Sequence, residues 1–370
     1  MQNKKPFDFG IFIVILLLLA GGIIMVFSAS EDFALRVFNN SYHFLIRQLL
    51  WAAIGIFTML FVSKIDYRIW GKFSGIILFI SISLLIIVLI PHVGISRNGA
   101  QRWINLGFTD LQPSEIAKLA VILFFSYRLS REKDKIKDFW SGLMPYLIWM
   151  GIIIGLLFLE PHKSCAVVIA GLGAVILFTA GARIWHFVIL SIPAALLFLK
   201  VAISDQYSMK RLVAFLDPWS DPKGVGWQVV NSLYAIGSGG LFGLGLGRSR
   251  QKFGYVPEPH NDYIFSIFAE EMGFIGVVTV ILLFLIFIWR GLRIAMHAPD
   301  NFSSLLATGI TSLVAIQFII NIAVITASAP PTGMPLPFFS YGGSSLLFLM
   351  VGMGILLNIS RHESSRTRSG

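Results

Sequence analysis

Uncharged apolar runs of about twenty residues recur from one end of this chain to the other, and no other feature constrains its fold as strongly. A helix needs about 20 such residues to cross the hydrocarbon core of a bilayer. Candidate spans are Phe9–Ser28, Phe44–Ser63, Phe73–His92, Ser114–Arg128, Ser141–Glu160, Cys165–Gly181, Trp185–Ser204, Tyr263–Trp289, Ser303–Ser328 and Phe339–Asn358. Charged residues make up only 13% of the chain, about half of what soluble domains carry, which excludes a soluble fold. The expectation is an all-α integral membrane protein of ten transmembrane helices, one polytopic domain over residues 1–370. The apolar run Phe9–Phe27 follows Lys4 and Lys5. It exceeds the roughly 7–15 residues of a signal-peptide core, so it reads as a retained first helix, although Ser28-Ala29-Ser30 faintly resembles a cleavage site.

Charge sets the orientation. The fourth candidate is short and holds Glu115 and Lys118, so its place rests on the positive-inside bias. With ten spans and the N-terminus in the cytosol, the inner loops carry Lys64, Arg68, Lys72, Arg128, Arg131, Lys133, Lys135, Lys137, Arg183, Arg290 and Arg293. The short outer loops hold only Arg36, Arg97, Arg102 and Lys163. The net charge of +10 is thereby assigned to cytosolic loops and a polar cytosolic tail, residues 361–370, rather than to nucleic acid.

Residues 205–262 then form a long extracytoplasmic loop, and loops of that length tend to be functional. Its glycines, Gly237 to Gly247, have no strand before and helix after, so they make no dinucleotide fingerprint. They read instead as places where backbone passes close to a ligand or a membrane surface. There is no Walker A pattern and no HExxH, hence no sign of a nucleotide. Cys165 reads as a small core residue, and His162 and His260 as surface residues beside outer loops.

An ionisable group at mid-membrane costs about 3 kcal/mol or more, so it faces a cavity or a partner. Lys118 lies about 8 Å along its helix from Pro113, and Glu270 about 12 Å from Asp262. Lys118 could therefore meet Glu270 or Glu271 in a polar cavity open to the outside, or pair locally with Glu115 at i,i+3. Asp262 has two readings as well. Aspartate before an apolar helix is a favoured N-cap, while the cations Arg248, Arg250 and Lys252 leading into it suit an anionic lipid-linked substrate. A solvated basic face near lipid headgroups explains the same cations.

Three blocks carry a family resemblance. The first is Arg97-Asn98-Gly99-Ala100-Gln101-Arg102-Trp103 with Gln112-Pro113-Ser114-Glu115-Ile116-Ala117-Lys118. The second is Gly243-Leu244-Gly245-Leu246-Gly247-Arg248-Ser249-Arg250-Gln251-Lys252, running into Pro257-Glu258-Pro259-His260-Asn261-Asp262. The third is Thr332-Gly333-Met334-Pro335-Leu336-Pro337-Phe338-Phe339-Ser340-Tyr341-Gly342-Gly343-Ser344-Ser345. Together they resemble the SEDS proteins (shape, elongation, division and sporulation), closer to the FtsW/SpoVE branch than to RodA. Many members have Pro-Asp where this chain has Pro161-His162, and Thr where it has Asn261.

The resemblance implies the SEDS fold with both termini cytosolic, in the bacterial cytoplasmic membrane. It implies a glycosyltransferase that polymerises lipid II in peptidoglycan synthesis, serving division or sporulation. Its partners would be a class B penicillin-binding protein and other divisome or elongasome membrane proteins. The family's essential acidic residue falls on Asp262, its cavity pair on Glu115 and Lys118, and its outer-loop arginine on Arg102. In that scheme Asp262 is the base. Arg102, Lys118, Glu115, Arg248, Arg250, Lys252 and Glu258 form the substrate-binding set, and Glu270 and Glu271 support the cavity. A divalent cation (Mg or Mn) on the substrate diphosphate is a further candidate for charge neutralisation. The rivals are a lipid II flippase, which needs polar residues through the full membrane depth, and a non-catalytic scaffold for a penicillin-binding protein, which needs no aspartate at a polar cavity.

Overall fold

The computed structural model describes residues 6–97, 100–107, 109–132, 135–204 and 206–362. The chain is mostly helical: α1 (Phe9–Phe38), α2 (His43–Val62), α3 (Tyr67–Val88), α4 (Pro113–Arg131), α5 (Met144–Leu159), α6 (Lys163–Thr179), α7 (Ile184–Ser204), α8 (Gln206–Leu216), α9 (Trp227–Ser238), α10 (Ile264–Met296), α11 (Asn301–Ile325) and α12 (Gly343–Ser360). Among the described residues, seven segments are long and apolar enough to cross a membrane: α1, α2, α3, the stretch Phe139–Leu159 that ends as α5, α10, α11 and α12. α6 and the first part of α7 are apolar but shorter, and α4 carries the charges anticipated for it. Lys4, Lys5, Asn98, Gly99, Lys133, Asp205 and residues 363–370 of the tail lie outside the described residues.

Three departures from the sequence reading bear on the site. α1 runs ten residues past Ser28, to Phe38. Beyond the membrane a helix needs no apolar face, and Asp32 and Arg36 pair across one turn there. The connection between α3 and α4 is a three-stranded antiparallel sheet, β1 (Gly94–Arg97), β2 (Ala100–Asn105) and β3 (Asp110–Leu111), in the order β1-β2-β3. The long loop contains α8 and α9. Both are short and amphipathic, so they carry no apolar run of membrane length for hydropathy to register.

Long-range hydrogen bonds define the two ends of the bundle. At one end the Asp8 N–H donates to Ser360 Oγ (2.9 Å), the Tyr67 N–H to Asn358 Oδ1 (2.9 Å), and Asn358 Nδ2 to the Ser63 carbonyl (2.9 Å). That end collects Arg68, Lys72, Arg128, Arg131, Arg290, Arg293 and Arg361. The other end carries the sheet, α8, α9 and the three motif blocks.

Candidate active site at the Asp262 end of the bundle

Asp262 sits one residue before the N-cap of α10. Tyr263 takes the N-cap position, and no side chain caps the helix there. The carboxyl group is thus not spent on capping, which corrects the local expectation. The reason lies in the backbone, which the third block holds from outside. Asn321 Nδ2 donates to the Asp262 carbonyl (2.7 Å) and to the Met334 carbonyl (3.0 Å). Ser340 Oγ donates to the Asn261 carbonyl (2.7 Å), and the Tyr341 N–H to the His260 carbonyl (3.0 Å). The half-buried carboxyl is pushed up to about 6, first by burial, opposed by its own backbone N–H and then by Arg211, with Glu258 adding a smaller push upward. Glu258 is exposed and accepts from Asn261 Nδ2 (2.7 Å).

Arg211, on α8, was not singled out from the sequence. Its guanidinium donates to the Pro331 carbonyl (2.8 Å) and acts on the Asp262 charge. The only sequence signal was the pair Lys210-Arg211 in an amphipathic stretch of the outer loop.

Lys118 is 1% exposed and donates to Glu115 Oε1 at 2.8 Å, one helical turn away. The cross-helix pair with Glu270 or Glu271 does not form. Adjacent turns put the local partner in reach at no extra ordering cost, and the two glutamates are engaged elsewhere. Glu115 also lines a small cavity of about 30 Å³ with Gln317, Phe338, Ser340 and Ser345, room for about two waters. Arg102, on β2, donates to the carbonyls of Glu160 (3.4 Å) and Pro161, so it ties the sheet to the α5–α6 turn.

Glu160 is a second residue that sequence reasoning passed over, since it looked like the end of a span. It is buried, neither carboxyl oxygen has a hydrogen-bond partner among the described residues, and burial, opposed by Arg102, pushes it up to about 8. His162 and His260 are buried as well, contrary to their reading as surface residues. His260 packs between the rings of Phe33, Phe44 and Tyr341 and burial pulls it down to about 4. His162 is lowered by burial, then by Arg102 and Lys118. Ring packing absorbed the His260 imidazole, which no local pattern reveals.

Glu270 and Glu271 are both fully buried, and they clamp the second block. Glu270 accepts from Ser249 Oγ and from the N–H groups of Arg250 (3.0 Å) and Gln251 (3.3 Å). Glu271 accepts from Ser28 Oγ (2.8 and 2.7 Å to its two oxygens) and from the Ser249 N–H (3.3 Å). Lys252 is buried with them. Its ammonium donates to the Ser28 carbonyl (3.1 Å) and lies 3.9 Å from Glu271 and from Glu31. These contacts remove Lys252 from the free cations available to a substrate, whereas Arg248 and Arg250 are exposed.

Several glycines of this block approach the protein's own backbone. The Leu244 and Gly245 N–H groups donate to the Glu270 and Glu271 carbonyls (3.0 Å each), and the Phe274 N–H to the Gly240 carbonyl (2.9 Å). A Cβ on Gly243 would stand 2.1 Å from the Glu271 oxygen. Gly273 breaks α10 with a left-handed φ of 63°, a conformation that suits glycine.

A family profile described as cell cycle protein, covering FtsW, RodA and SpoVE, matches residues 9–365. The chain belongs to this family. It is 46% identical over 367 residues to the stage V sporulation protein E of Bacillus subtilis (strain 168), covering 98% of this chain and 100% of that protein. It is 42% identical to the probable peptidoglycan glycosyltransferase FtsW of Trichlorobacter lovleyi, over 96% of this chain and 95% of the relative. Among solved structures it resembles a chain from work on the structural coordination of polymerization and crosslinking by a peptidoglycan synthase complex, with TM-score 0.81, 29% identity, and 97% and 99% of the two chains covered. It also resembles the Rod shape determining protein RodA of Thermus thermophilus, with TM-score 0.71, 27% identity, and 96% and 97% covered.

With FtsW/RodA/SpoVE membership established, the three blocks can be read as one surface at the Asp262 end. Arg102 of the first block bonds the Pro161 carbonyl, and Ser164 Oγ, just beyond it, donates to the Thr332 carbonyl of the third. Arg211 bonds the neighbouring Pro331, and Gly333 lies against the Asp262 carboxyl, to which an added Cβ would stand at 3.9 Å. The second block arrives at the same rim through the Glu270–Glu271 clamp.

Proposed function

We propose that Asp262 is the general base of a glycan-polymerising site that takes lipid II at the outer face of the bacterial cytoplasmic membrane. The chain is a peptidoglycan glycosyltransferase of the division or sporulation kind, in line with the relatives named SpoVE and FtsW. The observation that carries the assignment is the uncapped, half-buried Asp262 carboxyl at the end of the bundle where the three blocks meet. The concentration of cations at the opposite end supports an orientation in which that opposite end is cytosolic. Ten spans and two cytosolic termini follow, with residues 1–370 as one membrane unit and 205–262 on the outer side.

In the proposed step the sugar 4-hydroxyl of one lipid-linked chain attacks the anomeric carbon of another. The O–H proton passes to Asp262, the new C–O bond forms, and the bond to the undecaprenyl diphosphate breaks with its electron pair going to the diphosphate. One carboxylate suffices because the diphosphate leaves as a stable anion, unlike the alcohol in glycoside hydrolysis, which uses two carboxylates. Preplaced cations favour the developing charge. Arg211, Arg248, Arg250 and Arg102 are the candidates, and Lys252 is not. Lys118 and Glu115 serve as a neutral pair beneath the site.

A divalent cation, Mg or Mn, would come with the diphosphate oxygens. Among the described residues no group of three His, Cys, Asp or Glu stands ready to hold a resident metal. A class B penicillin-binding protein is the proposed partner, supported by likeness to a chain studied in a complex that coordinates polymerization and crosslinking. The test is Asp262→Ala purified in detergent with lipid II, with and without EDTA. The expected result is normal insertion and no glycan. Polymerisation by that variant would remove Asp262 from the base role.

A further inference from the structure

The end of the bundle opposite Asp262 holds a basic cavity of about 500 Å³ between α3, the end of α4 and the start of α11, within the roughly 300–1,000 Å³ of ligand pockets. Arg68 and Lys72, one turn apart on α3, face Arg131 of α4 across it, with Ser130 and Asn301 also on its wall. Like charges at i,i+4 repel, and three cations around one space repel further.

Asp300, the acid on the cavity wall, offsets Arg68 in part, and the other nearby acids are engaged elsewhere. Glu132 pairs with Arg128 (3.2 Å) and Lys135 (3.9 Å). Asp66 caps α3 through the Arg68 N–H (2.9 Å). Asp300 caps α11 through the Ser303 N–H (2.8 Å), accepts from Tyr67 Oη, and reaches Arg68 only at 3.9 Å. Arg131 lies over the Tyr127 ring at 4.4 Å, and Lys72 has no ion pair among the described residues. The positive-inside bias accounts for cations at this end of the chain. It does not account for their convergence on one cavity whose acids are turned into helix caps and pairs elsewhere.

We propose that this cavity binds the phosphate of an anionic glycerophospholipid from the cytosolic leaflet. Lys72 and Arg131 would be the principal ligands and Arg68 a third. Anionic headgroups are taken up by basic pockets between helices on the cytosolic side of membrane proteins. The acyl chains have a surface to follow: Ile69, Phe73, Ile76 and Ile80 are exposed and spaced to form one stripe on α3 leading away from the cavity. The proposal rests on the orientation given above and not on the glycosyltransferase chemistry.

The test uses the full chain in detergent, comparing wild type with Lys72→Gln and with Lys72→Gln/Arg131→Gln. Each is titrated with phosphatidylglycerol, phosphatidylethanolamine and inorganic phosphate, and bound lipid is counted by native mass spectrometry alongside thermal unfolding. Wild type should bind phosphatidylglycerol about tenfold tighter than the double variant does, with the single variant between them. Lys72→Gln removes no described pairing and so serves if the double variant unfolds. Protection by inorganic phosphate without preference for phosphatidylglycerol over phosphatidylethanolamine would overturn the lipid and assign the site to a soluble phosphate. Equal phosphatidylglycerol binding by wild type and both variants would overturn the site itself.

Discussion

Asp262 and the pair Glu270–Glu271 stand eight and nine residues apart at the head of one helix, yet the structure treats them in opposite ways. Glu270 and Glu271 are sealed from solvent and saturated with donors from Ser28 and residues 249–252. Asp262 is half-buried, caps nothing, and has its backbone rather than its side chain held by Asn321. A carboxylate whose lone pairs are all used holds a loop in place. One that is desolvated and left open keeps the capacity to accept a proton.

Substitutions should separate the two kinds. Asp262→Asn is expected to lower polymerisation by about 10²–10⁴-fold, the usual worth of a general base, with the unfolding temperature unchanged. Glycan synthesis near the wild-type rate would erase the contrast. Glu271→Ala should do the reverse and cost about 3 kcal/mol of stability, since it leaves buried Lys252 with only the half-exposed Glu31 as a counter-charge and strips the Ser28 hydroxyl and Ser249 N–H of their acceptor. Thermal unfolding in detergent is the measurement, and an unshifted midpoint would deny the clamp.

The buried Glu115–Lys118 pair sharpens the point at a second position. Either Glu115→Gln or Lys118→Met alone should destabilise by about 3 kcal/mol. The double substitution should cost less than the two singles added, because neither charge is then stranded. Simple additivity would mean the pair is not coupled.

pH probes Asp262 itself. With its pKa at about 6, the base is protonated below that value, so polymerisation should fall as pH drops through 6. Removing Arg211 takes away a charge that favours the carboxylate, so Arg211→Gln should move the acid limb up. Glu258→Gln should move it down, and each shift should be about one unit or less. Opposite shifts would misplace both neighbours. The smallest effects are expected at exposed Arg248 and Arg250. Alanine at either should raise the apparent KM for lipid II by about two- to fivefold, in keeping with screened surface charge, and leave kcat nearly unchanged.

Much of this was legible from residue order. The apolar runs located the seven long apolar helices found among the described residues, α4 is a helix where the short charged run stood, and the i,i+3 spacing already contained the Glu115–Lys118 pair. The three blocks marked the end of the bundle that carries Asp262. Less legible were α8 and α9, whose amphipathic character resembles loop in a hydropathy reading, and the sheet after α3, whose strands are only two to six residues long. His162, His260, Glu160 and Arg211 were passed over or misplaced because neighbours from distant segments set their surroundings.

The sequence by itself determined that this chain is a membrane-spanning helical protein carrying one family's three motif blocks, because helix formation and partition into lipid depend on local composition. Tertiary structure alone decided which carboxylate is open and which is spent. Ser28 and Glu271 are 243 residues apart in the chain, and a side chain's protonation and reach are fixed by whatever donors and desolvating groups the fold brings against it.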